Sequence, residues 1–461
     1  MEELAILSKE RHAERRRVLQ SRVGEPVLLM GNGLQCRNLP MNKFPFRQDS
    51  NLLYYSGCSI PGAAMLVEEG ASTLYLPFPG PGDALWHGAH PSAEELSEQY
   101  GVAVKPIEEL EGDLEGCNPL GLAVSDPAAN AVAAKLTGRP LSFGGDNGPE
   151  KLVDAVIEAR RVKDELEAEQ HRKAAVVTRE AHIAAMRATG VDVHEREVAA
   201  AFTNVLRRAG ATEAYSSIVT VRGEVLHNPH YTNTLQAGEL LLLDGGAEVA
   251  SGYCCDVTRT WPVTGRFSDM QRSAYEAVLE AHQSSVALCT PGRRYRDIHL
   301  HSVRVIAQWL IGEGFLRCGV DEAVESGAAA LFFPHGVGHL LGLDVHDLEA
   351  FGDRPAYAPG RSRSTQFGLG ALRLDLDLEP GHLVTIEPGF YMVDPILDSE
   401  ELTAPHSSRL NREVIEKWRG FGGIRLEDDI LVRDGAPENL TQAIPITVAE
   451  VEATMAARGD A

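Results

Sequence analysis

The stretch ELLLLDGGAEVASGYCCDVTRTWPV, residues 239–263, holds two apolar runs, each closed by an aspartate: Asp244 after LLLL and Asp256 after GYCC. The leucine run has the length of a buried strand, and the glycines that follow supply a turn. The twelve-residue spacing of the aspartates suits two neighbouring antiparallel strands with both carboxylates on one face. A carboxylate ending an apolar strand must be paired, protonated or bound to a cation, because an isolated buried charge is costly. One such position is commonly a strand end in a salt bridge, but here the pattern recurs. Glu387 follows LVTI in HLVTIEPGFYM (382–392), and Glu427 follows GIRL in GIRLEDDILV (423–432). Arg425 lies two residues before Glu427, so strand geometry points both side chains the same way and the guanidinium can orient carboxylates.

Around these strands the pattern predicts helices over about 269–289 and 295–313, giving an α+β second half with a largely antiparallel sheet. The first half reads differently. A charged helix over 1–20 precedes strands in PVLLM, AAMLVEE, STLYLPF and GLAVS, with helices in HPSAEELSEQYGV and NAVAAKL between them, an alternating α/β arrangement. A long helix over 149–189, with one interruption and a cap at Gly190, and a second helix over 193–209 follow. The expected organisation is an α/β domain over 1–160 and an α+β domain over 161–461.

FPHGVGHLLGLDVHD (333–347) adds His335, His339 and His346. His335 and His339 have the spacing of the helical zinc motif H-E-x-x-H, but Gly336 stands where its glutamate belongs. Gly336 and Gly338 weaken a helix and Pro334 precedes them, so a glycine-rich loop or strand is expected. Spacing alone leaves two readings open, a mixture of ligand and helpers or three structural histidines. Four carboxylates and an imidazole form an oxygen-rich donor set suited to manganese, cobalt, iron or zinc, with charge enough for two divalent ions. Cys254 and Cys255 beside Asp256 read as small buried hydrophobes rather than thiolate ligands.

The 461 residues carry a net charge of −23, from 43 basic and 66 acidic side chains, which argues against nucleic acid or anionic membrane as partners. The seven cysteines form no C-x-x-C pair and no regular spacing, and the N-terminus lacks the apolar stretch of a signal peptide. No run approaches the roughly 18 apolar residues of a membrane span. A cytoplasmic location is expected.

Taken together, LLLLDGGAE, DVTRTWPVTGRFS, FPHGVGHLLGLDVHD, LEPGHLVTIEPGFY and RGFGGIRLEDDILV, in this order, resemble the dinuclear metallopeptidases of the pita-bread fold, in their aminopeptidase P and prolidase branch. The resemblance covers roughly 160–445, and FRQDSNLLYYSG (46–57) is similar to the N-terminal domain of the same enzymes. It implies that Asp256, His339 and Glu427 hold one metal, with Asp244 on a second and Glu427 bridging. Glu387 would bind the first metal and shuttle protons. His335, His346 and a third histidine, His227 or else His230 of VLHNPHYTN, would face the substrate; Arg425 would support the ligands and Tyr391 line the site. The implied ions are two, manganese first and cobalt or zinc as alternatives. The implied substrate is a peptide with proline in second position, and the implied assembly a homodimer or homotetramer. Arg373, in ALRLDLDLEPG, aligns with an arginine that looks like the carboxylate clamp of prolidases, which tips the expectation to an Xaa-Pro dipeptidase over an Xaa-Pro aminopeptidase acting on longer peptides. Pita-bread hydrolases and binding proteins without the metal set are the remote alternative.

Overall fold

The computed structural model describes residues 8–80 and 82–457. The chain divides into two compact units, Met1–Arg161 with Leu348–Pro355, and Val162–Asp347 with Ala356–Ala461. The expected division near 160 assigns 348–355 to the second part. The structure groups this segment with the first unit, where Asn147 Nδ2 donates to the Ala350 carbonyl at 2.8 Å and Arg354 pairs with Asp154 through Nε at 2.5 Å and Nη2 at 2.7 Å.

The first unit is built on a five-stranded sheet in the order Ala103–Pro106, Ala71–Leu76, Ala64–Glu68, Val27–Met30, Leu120–Gly121. Its outer pairs are parallel and its inner pairs antiparallel, so the unit is α/β with a mixed sheet. The first helix, Lys9–Val23, starts where the Ser8 hydroxyl accepts from the Arg11 amide and ends at Gly24 in the left-handed region. Residues 1–7 of the helix expected over 1–20 lie outside the described residues. Of GLAVS only Gly121 joins the sheet, together with Leu120 just before it, and the strand Ala103–Pro106 was not anticipated.

The long helix expected over 149–189 is two, Glu150–Arg161 and Glu165–Ala188. Val162 leaves helical geometry to bridge His382, and Asp164 caps the second helix, accepting from the Glu167 amide while Glu167 reciprocates. Thr189, not Gly190, is the C-cap, with its hydroxyl donating to the Ala185 carbonyl. The helices Asp269–Val286 and Tyr295–Gly312 follow in the second unit.

The second unit is α+β with antiparallel sheets throughout its named strands. Leu240–Asp244 pairs with Thr258–Pro262 as expected, Asp244 opposite Thr258. The connection is no simple turn: Ala247–Glu248 leaves to pair with Thr212–Glu213, and the returning strand begins at Thr258, two residues beyond Asp256. HLVTIEPGFYM and GIRLEDDILV each read as one strand, yet each is broken at its acid. Leu383–Ile386 and Asp428–Leu431 pair in one sheet, Gly389–Tyr391 and Gly423–Arg425 in another. Glu387 and Glu427 occupy the two breaks, where the chain passes between sheets and the side chain is freed from the ladder. Period-two alternation does the rest. Phe390 and Ile424 point into the core, the former against Trp309, Phe315 and Trp418, so Tyr391 and Arg425 point the other way.

Among the described residues, no helix is long and apolar enough to cross a membrane.

Candidate metal centre

Asp256, His339 and Glu427 are buried, and each offers a ligand atom within 4.8 Å of the others. The loop carrying His339 is not helical. Residues 337–341 run antiparallel to Leu383–Ile386, with Glu387 N–H donating to the Val337 carbonyl at 2.8 Å and Thr385 N–H to the His339 carbonyl at 3.0 Å. Gly338 makes this possible: its φ is +151°, and a Cβ there would overlap the Thr385 carbonyl and the Tyr295 hydroxyl. Glycine, not helix periodicity, therefore sets the spacing of His335 and His339.

The His339 ring is committed at one nitrogen. Its Nδ1 lies 3.0 Å from the Leu340 carbonyl, which can only accept, so Nδ1 carries the hydrogen and Nε2 faces the carboxylates. Nε2 is 3.4 Å from Asp256 Oδ2 and 3.9 Å from Glu387 Oε1. Burial alone would lower the His339 pKa, but Asp256 and Glu387 together raise it to about 9. The neighbouring carboxyls are raised as well. Burial, then Asp256, Glu387 and Asp244, pushes the Glu427 carboxyl well above its ordinary range, and burial with the same neighbouring aspartates lifts Glu387 to about 7.

Tyr215 makes the crowding explicit. Its hydroxyl lies 2.5 Å from Asp244 Oδ1 and also at hydrogen-bond distance from Asp256 Oδ1, yet it has one hydrogen to give. Two acceptors beside one hydrogen, and a ring nitrogen facing further acceptors, form an arrangement completed by protons or by cations shared among the oxygens. This donor set fits divalent ions: hard oxygens, one imidazole nitrogen, and a backbone carbonyl fixing the tautomer behind it.

The remaining residues surround this core. Arg425 donates through Nη2 to Asp244 Oδ2 at 2.5 Å, through Nε to Thr258 Oγ1 at 3.1 Å and through Nη1 to the Tyr391 hydroxyl at 3.2 Å. Thr258 Oγ1 donates onward to Glu427 Oε2 at 2.6 Å. His335 Nδ1 donates to the Gly336 carbonyl at 2.8 Å, so its Nε2 accepts from the Tyr391 hydroxyl at 2.8 Å. Burial, then the Arg425 charge, lowers the His335 pKa to about 3, which agrees with a neutral ring in this chain of bonds. Glu387 and His335 keep 18% and 17% of their side-chain surfaces open, and Arg373 is half-buried. His346 is exposed at one edge while its ring packs edge-on to His339 with centroids 4.4 Å apart; packing, then His339, Arg373 and His227, lowers its pKa. His227 and His230 are both exposed; His227 senses Arg425, Asp244 and Arg373 electrostatically, and the His230 amide donates to Asn228.

The structure thus brings Asp244, Asp256, His335, His339, His346, Glu387, Tyr391, Arg425 and Glu427 together by hydrogen bonds, close carboxylate–imidazole approaches and ring packing, with His227 and Arg373 within electrostatic reach of them. Sequence reasoning missed Tyr215 and Thr258. Thr258 follows Asp256 by two residues, a period-two signal overlooked; Tyr215, in EAYSSIVT, gives no signal at all.

Antiparallel sheets bearing a buried carboxylate and histidine centre, with the likenesses that follow, define the class, a metallo-exopeptidase of pita-bread architecture. The profile of metallopeptidase family M24 matches residues 169–434, and that of the aminopeptidase P N-terminal domain matches 12–118. The chain belongs to family M24. It is 33% identical to the Xaa-Pro dipeptidase of Homo sapiens, over 98% of this chain and 93% of the relative. A probable Xaa-Pro aminopeptidase of Paracoccidioides brasiliensis is 34% identical over 87% of this chain and 86% of its own. Among solved structures, a Pseudomonas aeruginosa aminopeptidase superposes with a TM-score of 0.81 at 30% identity, covering 98% of this chain and 99% of that one.

Proposed function

We infer that this enzyme hydrolyses the Xaa-Pro bond of dipeptides. The observation carrying this reading is Arg373, half-buried within electrostatic reach of His346 and His227, where it would receive the free carboxylate of a proline. Asp256, His339 and Glu427 would hold one divalent ion, and Asp244 with Glu427 a second, Glu387 joining the first. Manganese is the proposed ion, with cobalt or zinc accepted by the same donors. When bound, such ions polarise a carbonyl and make water nucleophilic at neutral pH.

The side chains supply the rest. Glu387, with 18% of its side chain open, would take the proton of the attacking water and give it to the proline nitrogen as the bond breaks. His346 and His227, exposed at the rim, are free to donate to the carbonyl oxygen and the peptide ends, whereas His335 has both nitrogens engaged and offers its ring as a wall. Tyr391, expected to line the site, is fully buried and instead braces that wall through its hydroxyl bond to His335 Nε2. Arg425 acts on Asp244 and, through Thr258, on Glu427, fixing ligand orientation.

The second reading, an aminopeptidase acting on longer peptides, is favoured by the likeness to aminopeptidase structures. Hydrolysis of an Xaa-Pro dipeptide and an Xaa-Pro-Xaa tripeptide, compared with manganese added, decides between them. Dipeptide cleavage that loses at least tenfold in kcat/KM on Arg373→Ala supports the clamp; equal cleavage of the tripeptide refutes it. The proposed setting is cytoplasmic, in keeping with free cysteines at all seven positions. The proposed assembly, a homodimer or homotetramer, is in keeping with Met41, Leu85 and Trp86 exposed on the first unit.

A further inference from the structure

Behind the centre lies an ion pair that the chemistry above does not use. Lys163 Nζ and Asp347 Oδ2 are 2.9 Å apart, each side chain 1% exposed. Such a buried pair contributes little net stability over apolar side chains of the same shape, so stability is a poor reason for it. Its position suggests a better one.

Both partners are held at the backbone. Lys163 N–H donates to the Gly381 carbonyl at 2.8 Å, Val162 bridges His382, and Asp164 caps the following helix. Gly381 is forced by this approach: its φ is +90°, and a Cβ would lie 2.7 Å from Val162 Cγ1 and 2.9 Å from the Lys163 carbonyl oxygen. The ammonium is thus presented from a fixed point. Asp347 closes a loop that begins at Leu340, whose carbonyl accepts from Asp347 N–H at 3.0 Å. The carboxylate fills that loop so completely that a Cβ on Gly342 would lie 2.5 Å from Asp347 Cγ. Immediately before the loop stands His339; immediately before its closing aspartate stands His346. The next residue, Leu348, has φ +66°, a conformation a branched side chain keeps only where its surroundings impose it.

We propose that Lys163 and Asp347 are positioning residues that hold His346 against His339 by pinning the loop between them. The proposal rests on the reading of His346 as a substrate-facing group. Without the ammonium, the loop loses its interior anchor, and the strained Leu348 turn relaxes the backbone next to His346.

The test is a cycle built on Lys163→Met/Asp347→Leu, which replaces the pair by apolar side chains, in the wild-type and His346→Ala backgrounds. On an Xaa-Pro dipeptide with manganese, the double variant should lose 10- to 100-fold in kcat, as about 1 Å of misplacement does, with its thermal midpoint and bound metal retained. In the His346→Ala background the same change should cost less than about twofold. Amide exchange of residues 341–347 should quicken in the double variant. Undiminished kcat, equal losses in both backgrounds, or unchanged exchange overturns the proposal. A fully active His346→Ala would instead sink the reading of His346, and the proposal with it. If the apolar pair does not fold, Lys163→Arg, which keeps the charge and alters its reach, is put through the same cycle and judged by the same outcomes.

Discussion

Thr258→Val tests the hydrogen-bond frame of the centre with little change in shape. Thr258 is fully buried, and valine is close to isosteric, so packing around it should survive. The hydroxyl donates to Glu427 Oε2 at 2.6 Å and accepts from Arg425 Nε at 3.1 Å. Its removal forfeits a bond to a carboxylate, worth about 1.5–3 kcal/mol, and leaves a guanidinium N–H short of a partner at a cost of about 1–3 kcal/mol. Partial relaxation of Arg425 toward Asp244 recovers some of this, so a net loss of about 2–4 kcal/mol is expected. For a unit of this size that lowers the thermal midpoint by about 3–7 °C. Glu427 also loses its orienting donor, which should weaken metal binding by about 10- to 100-fold. Calorimetric titration of manganese into stripped protein, beside differential scanning calorimetry of the metal-free variant, reads both effects. A variant within 1 °C of the wild type (~0.6 kcal/mol) that binds manganese with unchanged affinity would refute the frame assigned to Arg425, Thr258 and Glu427.

Asp256→Asn and Glu427→Gln should each abolish hydrolysis and remove at least one bound ion per chain, measured by elemental analysis after gel filtration; retained turnover in either would exclude it as a ligand. Acid should destabilise the second unit through buried histidines outside the donor set. Burial holds His171 and His182 at about 3 and His299 at about 4, below the unfolded value near 6.5. The unfolded chain then binds more protons between these values, so stability is complete above about 6.5 and falls as pH drops toward the folded pKa values, by about 1.4 kcal/mol per histidine at pH 5.5. Urea midpoints measured at pH 7.5 and 5.5 check this, and His299→Leu should lessen the difference by about 1.4 kcal/mol. Gly338→Ala should cost soluble yield or several degrees of thermal midpoint, since its Cβ has no room beside Thr385 and Tyr295; a wild-type melting curve would contradict the close approach.

The four carboxylate candidates were legible because each follows an apolar run of sequence, a pattern that burial cost makes conspicuous. The histidine loop was legible in part: glycine at 336 and 338 excluded a helix, but only the pairing of 337–341 with Leu383–Ile386 showed how His339 is aimed. Strand breaks at Glu387 and Glu427 escaped notice, because GIRLEDDILV and HLVTIEPGFYM keep strand-like composition across the point where they change sheets. Tyr215 was invisible for a different reason. Its role depends on a hydroxyl meeting two carboxylates from distant segments, and no local pattern encodes that meeting.

The grouping of Leu348–Pro355 with the first unit has a consequence for synthesis. Arg354 meets Asp154 across 200 residues of chain, and Asn147 meets Ala350 across 203. At about 5–20 residues per second, roughly 10–40 s pass between synthesis of the helix Glu150–Arg161 and synthesis of Arg354. The first unit thus cannot finish by itself in N-to-C order; its last contacts arrive only after most of the catalytic unit exists. A fragment ending at residue 161 would carry Asp154 and Asn147 without these partners, and one beginning at 162 would carry 348–355 without its own.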